Sequence, residues 1–173
     1  MPEPCIFCDN NSRTREHLWP KWIHERKDFG PLKIQRGKSK KVVIPHPEVT
    51  VKTVCGICNN GWMSDLEAEN IPIIGNMLQD VTLPLDEAQQ KTVGAWAMKA
   101  DSTKGRLAPN RFYKREECID MRVSREIPAR RLIWFGRIEG MHLADIGTDF
   151  TLADPAKNRI AMGSVGTPWR VTS

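Results

Sequence analysis

With 173 residues, 40% of them hydrophobic and 27% charged, the chain has the composition of a soluble globular protein. It has room for one sizeable domain or for a small metal-organised module with a second lobe. No apolar run approaches the roughly 20 residues of a membrane span, and the start Met1-Pro2-Glu3-Pro4 lacks signal-peptide character, so a cytoplasmic protein without a membrane partner is expected. A net charge of +5 and a pI near 9.1 permit nucleic-acid binding without establishing it.

In chain order, the first feature is Cys5-x-x-Cys8, followed by a polar turn at Asp9-Asn10-Asn11-Ser12 and a short extended segment to residue 17. Leu18-Trp19-Pro20 interrupts any helix before the proline, and Pro20 can open a short helix through Lys21-Trp22-Ile23-His24. Residues 26–41, rich in Gly, Pro and charge, read as a long loop. Residues 42–44 and 49–54 are β-branched stretches divided by Pro45-His46-Pro47, and they read as two short strands, the second running into Cys55-x-x-Cys58. From Asn60 the pattern turns helical, with Trp62, Leu66 and Glu69 on one stripe and Met63, Glu67 and Asn70 on a polar one, until Pro72 ends the helix. Ile73, Ile74, Met77 and Leu78 suggest a second short helix. Residues 86–99 predict a helix with Asp86 near its N-cap, 101–110 a loop, and 113–124 a further helix. Residues 132–138 give the strongest strand signal, with weaker ones at 150–152 and 160–162. The expected organisation is a zinc-bearing module over 1–80 followed by a mixed α+β lobe over 81–173.

The zinc expectation comes from the cysteines. Cys5, Cys8, Cys55 and Cys58 form two Cys-x-x-Cys pairs, each placing two sulfurs on one side of a turn, which suits a tetrahedral structural zinc site. In a reducing compartment such pairs are metal ligands rather than disulfides. Cys118 stands alone and reads as a packing or surface thiol. Glu16-His17 lies between the pairs and Asn59 directly follows Cys58; none of the three is needed for that zinc. A neutral histidine can take a proton from water, and carboxylate or amide oxygens can hold Mg²⁺. Because neighbouring residues on a strand point to opposite faces, a local bend must bring Glu16 and His17 to one pocket. The zinc site would then clamp Asn59 against that strand.

The sequence Cys5-x-x-Cys8, Glu16-His17-x-x-Pro20, Val54-Cys55-x-x-Cys58-Asn59-Asn60-Gly61-Trp62 resembles the zinc-bearing branch of the HNH endonucleases over residues 5–70, under half the chain. The resemblance implies a ββα-metal fold, in which a β-hairpin and one helix grip a single divalent cation. It implies His17 as general base, Glu16 and Asn59 as catalytic residues holding Mg²⁺ or Mn²⁺, and Asn60 as an alternative ligand one residue on. Cys5, Cys8, Cys55 and Cys58 take the place of the structural zinc ligands. The implied partner is DNA rather than RNA, and relatives of this sort travel in phages and other mobile elements. The sequence departs from the family in three places: residues 18–54 contain no asparagine to brace the loop that holds the base, a role open to Thr50, Thr53 or a backbone carbonyl; the segment between the motif halves is long; and Glu16 in place of aspartate adds a methylene that would reposition the cation.

Other residues divide between roles. Lys33, Arg36, Lys38, Lys40 and Lys41 form a basic run without an acidic neighbour and are candidates for phosphate contact. Arg122, Arg125, Arg130 and Arg131 form a second basic cluster. His24, His46 and His142 read as ordinary residues, and Asp65 and Glu67, which could approach the cation, read as a solvated helix face. Trp19, Trp22 and Trp62 suit a small core against the zinc module better than base stacking. Two alternatives to the nuclease stay open. One is a non-catalytic zinc-dependent nucleic-acid-binding protein, favoured by the missing asparagine. The other is a protein-interaction module, favoured by the 11 basic and 10 acidic residues of segment 1–85.

Overall fold

The element order in the computed structural model is β1 (Thr14–His17), α1 (Lys21–Arg26), β2 (Leu32–Ile34), β3 (Val42–Ile44), β4 (Thr50–Val54), α2 (Gly56–Cys58), a π-helical turn (Asn59–Met63), α3 (Ser64–Leu78), α4 (Glu87–Lys104), α5 (Arg115–Ser124), β5 (Ile133–Ile138) and β6 (Arg159–Ser164). The structure describes residues 4–11, 14–26, 32–34, 42–44, 50–79, 81–104, 113–129, 131, 133–138 and 159–164. The chain is thus a mixed α+β protein. Its strands form three antiparallel pairs, β1 with β4, β2 with β3 and β5 with β6. Among the described residues no helix is long and apolar enough to cross a membrane.

The β1–β4 pair carries the feature that matters most for the site. Thr14 lies opposite Val54, but Glu16 lies opposite Val51 and His17 opposite Thr50. Lys52 and Thr53 therefore stand against the single residue Arg15, which makes a β-bulge. Bulges bend and twist the strand pair and re-aim side chains. The bend that the adjacent Glu16 and His17 require is built here.

Several elements differ from the sequence expectation for identifiable reasons. Leu32–Ile34 is a strand inside the expected loop 26–41; three residues are too few to show alternation, and pairing with β3 supplies what the local sequence does not. Pro72 does not end a helix, because α3 runs through it from Ser64 to Leu78. A proline inside a helix costs about 3 kcal/mol, but Leu66, Asn70, Ile73, Ile74 and Leu78 all lie buried on this one helix, and their burial outweighs that cost at roughly 1.5–3 kcal/mol for each large apolar side chain. The polar stripe also shifts: Met63 and Asn70 are buried, and Glu69 is exposed. Asn70 is tolerated in the core because its Nδ2 donates to the carbonyls of Leu66 (2.7 Å) and Thr92 (3.3 Å). The helix expected over 86–99 continues to Lys104; Asp86 caps it, its Oδ1 accepting from Gln89 N–H at 2.8 Å while its own N–H donates to Gln89 Oε1 at 3.1 Å. The strand expected at 150–152 lies outside the described residues.

One core runs through both sides of residue 80. Cys5, Phe7, Val54, Met63 and Leu66 share a cluster of buried residues with Val93, Trp96, Met98, Cys118 and Met121, and Trp19, Trp22 and Trp62 pack against it. Phe7 meets Trp62 edge-on with ring centroids 4.9 Å apart. From α5 and its C-terminal cap, arginines reach back to the first cysteine turn. Arg115 donates to Cys8 O (2.8 Å) and Arg122 to Phe7 O (3.4 Å). Arg125, in the left-handed conformation at φ 61°, donates to Trp62 O at 2.9 Å and lies over the Trp62 ring at 5.0 Å. Arg131 is paired with buried Glu117. The second basic cluster, so far as it is described, serves packing.

Candidate metal centre and adjoining cleft

The four cysteines come together at one end of the β1–β4 pair, Cys5 and Cys8 from the turn before β1 and Cys55 and Cys58 from the turn after β4, because Thr14 lies opposite Val54. Cys5–Cys8 is a tight turn closed by Cys5 N–H donating to Asn10 O at 2.9 Å, and it is tied to β4 by Ile6 N–H donating to Thr53 O at 3.1 Å. Cys55 and Cys58 flank the turn that leads from β4 into the helical segment. The ligand atoms all lie within 4.8 Å of one another, and this is the only such group of three or more His, Cys, Asp or Glu side chains among the described residues. The cysteines are free, not disulfide-bonded. The sulfur separations of 3.5 Å for Cys8–Cys55 and 3.6 Å for Cys8–Cys58 are close to the edge of about 3.8 Å that a tetrahedron with 2.3 Å zinc–sulfur bonds requires. Backbone N–H groups point at the sulfurs: Cys55 N–H at Cys5 Sγ (3.3 Å) and Cys58 N–H at Cys55 Sγ (3.4 Å). Burial pushes the Cys5 and Cys58 thiols up. Burial pushes Cys8 up as well, but the backbone N–H of Asn10 and hydrogen bonds from the other thiols outweigh it and bring this group down to about 7. The donor set fits a structural zinc ion, whose binding would displace the remaining thiol protons.

The same turn delivers Asn59. Its N–H donates to Cys55 O at 2.9 Å, and its side-chain Nδ2 donates to Thr14 Oγ1 at 3.0 Å; that hydroxyl in turn donates to Val54 O at 3.4 Å. The relay uses the amide nitrogen, so Oδ1 is the atom left for an outside ligand. Thr14 thus braces the site from β1 in a chain that has no asparagine over residues 18–54. The helical segment then kinks at Gly61 (φ −101°, ψ −118°) before α3 begins.

Glu16, His17, Asn59 and Asn60 converge on one cleft of about 510 Å³, together with Arg15, Lys21, Glu25, Ser64 and Glu67. Glu16 and His17 come from β1, opposite the bulge in β4, Lys21 and Glu25 from α1, and Ser64 and Glu67 from successive turns of α3. His17 is half-buried, whereas Glu16 is only 7% exposed. The Glu16 carboxylate meets an unexpected partner: Lys99 Nζ, on α4, lies 3.2 Å from Glu16 Oε1 and 2.5 Å from Glu67 Oε1. Burial pushes the Glu16 carboxyl above its ordinary value, with Lys99 pulling it down and Glu67 adding to the rise. The carboxylate and amide oxygens of the cleft are of the kind a hard divalent cation takes, and among the described residues no hydrogen bond takes the second oxygen of Glu16.

Sequence reasoning missed Thr14, having offered Thr50 and Thr53 as braces, and missed Lys99; it preferred a solvated face for Glu67 over an approach to the cation. A signal for Lys99 existed: it is the one charged residue in the run 93–100, all of it buried. The basic run fared differently. Arg36, Lys38, Lys40 and Lys41 lie outside the described residues, as do His46 and His142, and only the backbone of Lys33 is described, paired with Val43. Arg15 and Lys21 are the cations that line the cleft. Compared with family models, curated protein sequences and solved structures, the chain shows no match.

Proposed function

We propose that the chain is a metal-dependent endonuclease that hydrolyses phosphodiester bonds in DNA, on an HNH-like ββα module organised by a structural zinc ion at Cys5, Cys8, Cys55 and Cys58. The observation that carries this reading is the convergence of Glu16, His17, Asn59 and Asn60, from segments more than 40 residues apart in sequence, on one cleft beside the cysteine cluster. The antiparallel β1–β4 pair leading into α3 supports the ββα arrangement.

In this reading a ring nitrogen of His17 takes the proton from the attacking water. Glu16 and the amide oxygens of Asn59 and Asn60 would hold Mg²⁺ or Mn²⁺, which when bound would supply charge neutralisation at the scissile phosphate and leaving oxygen. Arg15 and Lys21, exposed on the cleft wall, position the phosphate backbone without reading sequence. Thr14 keeps Asn59 turned with its oxygen outward.

The test is cleavage of supercoiled plasmid by zinc-loaded protein as Mg²⁺ or Mn²⁺ is added. Activity is expected only with the added ion, and Asn59→Ala should raise the concentration required. Cleavage that persists at full rate without added ion removes the cation from the mechanism. A second reading, a zinc-dependent nucleic-acid-binding protein without catalysis, is favoured by the Lys99 ammonium already on Glu16. It predicts salt-sensitive DNA binding and no nicking under any metal.

A further inference from the structure

Lys99 lies in the middle of α4, 1% exposed, and its ammonium ties Glu16 of β1 to Glu67 of α3. Both carboxylates line the cleft, and the lysine stands behind them rather than in it. A buried lysine needs compensation, and one carboxylate is enough to neutralise it. Two carboxylates on one ammonium leave a net charge of −1 on the wall of a polar cleft. That surplus sits beside the amides of Asn59 and Asn60. Glu67 is also placed by its helix, because Ser64 and Glu67 lie three residues apart on α3 and both reach the cleft, where Asn60 joins them from beyond the kink at Gly61. Its side chain is 23% exposed, open enough to meet a ligand from solvent while one oxygen stays on Lys99.

We infer that Glu67 is a second carboxylate ligand of the divalent cation in this cleft, and that Lys99 is a positioning residue holding Glu16 and Glu67 together for it. The inference rests on the cation reading of the proposed function and extends it to two residues of α3 and α4 that the motif does not contain. Untied, two neighbouring carboxylates repel and turn apart; bridged by the ammonium, each keeps one oxygen on the lysine and offers the other to the cleft. The lysine, from the second half of the chain, makes α4 part of the site.

The experiment is a Mn²⁺ titration of the zinc-loaded full chain, read by the electron paramagnetic resonance signal of free Mn²⁺, with zinc content and thermal unfolding measured on the same samples. The wild type is expected to bind one Mn²⁺ in addition to its zinc. Glu67→Gln should weaken that binding roughly tenfold or more with zinc content unchanged. Lys99→Met should weaken it by about tenfold, the size expected for an outer partner of a metal ligand, and Lys99→Arg should restore most of it. A purely structural lysine would lower the unfolding temperature of Lys99→Met without moving Mn²⁺ affinity, and that result overturns the positioning role. If Lys99→Met does not fold, Glu67→Gln still decides, because its side chain stands at the cleft surface. Wild-type Mn²⁺ binding with Glu67→Gln unaffected overturns this inference alone and leaves the nuclease reading standing. A wild type that binds no Mn²⁺ at all overturns both.

Discussion

The cysteine cluster and the Glu16–His17–Asn59 cleft are built on the same two chain segments, yet on opposite plans. The cluster uses four identical ligands, all 8% exposed or less, with backbone N–H groups aimed at the sulfurs. The cleft uses a carboxylate, an imidazole and amides at graded exposure, and leaves room beside them. Closed sets of four protein ligands mark structural zinc, whereas sites for chemistry keep open positions. The contrast suggests a division of labour in which one metal fixes the backbone so that the neighbouring groups can stay available.

If that division is right, the largest effect will follow loss of the first metal. Stripping zinc with a strong chelator, or changing Cys58 to Ser, should unfold the module. Structural zinc contributes on the order of 10 kcal/mol in small domains, comparable with the whole stability of a domain this size. Circular dichroism and zinc analysis on one sample check this, and a zinc-free chain that keeps its native spectrum breaks the comparison. A smaller effect is expected at Arg125, whose guanidinium bonds Trp62 O and covers the Trp62 ring. Arg125→Ala should cost about 2 kcal/mol in urea unfolding, from a charge-assisted hydrogen bond and a cation–π contact, without altering zinc content. Asp86→Ala, which removes the N-terminal cap of α4, should cost about 1 kcal/mol.

The smallest change expected has the opposite sign. Burial raises the Glu16 carboxyl above its ordinary value despite Lys99, so the folded state binds this proton more tightly than the unfolded chain does. Its stabilising contribution is full below the ordinary carboxylate range and is lost as pH rises through the raised value. Glu16→Gln imitates the protonated form. The variant should therefore be more stable than wild type near neutral pH, with the difference growing as pH rises across the range where zinc stays bound and no further divalent ion is added. A variant less stable at neutral pH would mean that the attraction of Lys99, not burial, governs Glu16. The residue that organises the cleft would in that case be a stabilising one, and the contrast with the cysteine cluster would narrow.

The two sites also differ in how far the sequence disclosed them. Cys5-x-x-Cys8 and Cys55-x-x-Cys58 could be read because ligand spacing is a local property of a turn. Glu16, His17 and Asn59 could be nominated, but the bulge beside Glu16 and His17 depends on β4 pairing out of step with β1, and the hold on Asn59 depends on Thr14 across that pair, neither of which a local pattern encodes. Lys99 was hidden because helical periodicity records which face is buried, not what a buried charge meets across 83 residues. Pro72 misled for a related reason: the proline rule is local, while the burial of Ile73, Ile74 and Leu78 that overrides it is tertiary. Asp86 was legible because a cap and its helix start are neighbours in sequence.

The central claim is that His17 activates water in a cleft held open by a separate structural zinc. It is tested most directly by nicking of supercoiled plasmid by wild type and His17→Ala, both zinc-loaded and supplied with Mn²⁺, with zinc content and unfolding temperature recorded alongside. The account predicts that His17→Ala loses about 10²- to 10⁴-fold in rate while zinc content and unfolding temperature stay at wild-type values. A His17→Ala protein that nicks at the wild-type rate, or a wild type that does not nick at all, would contradict it.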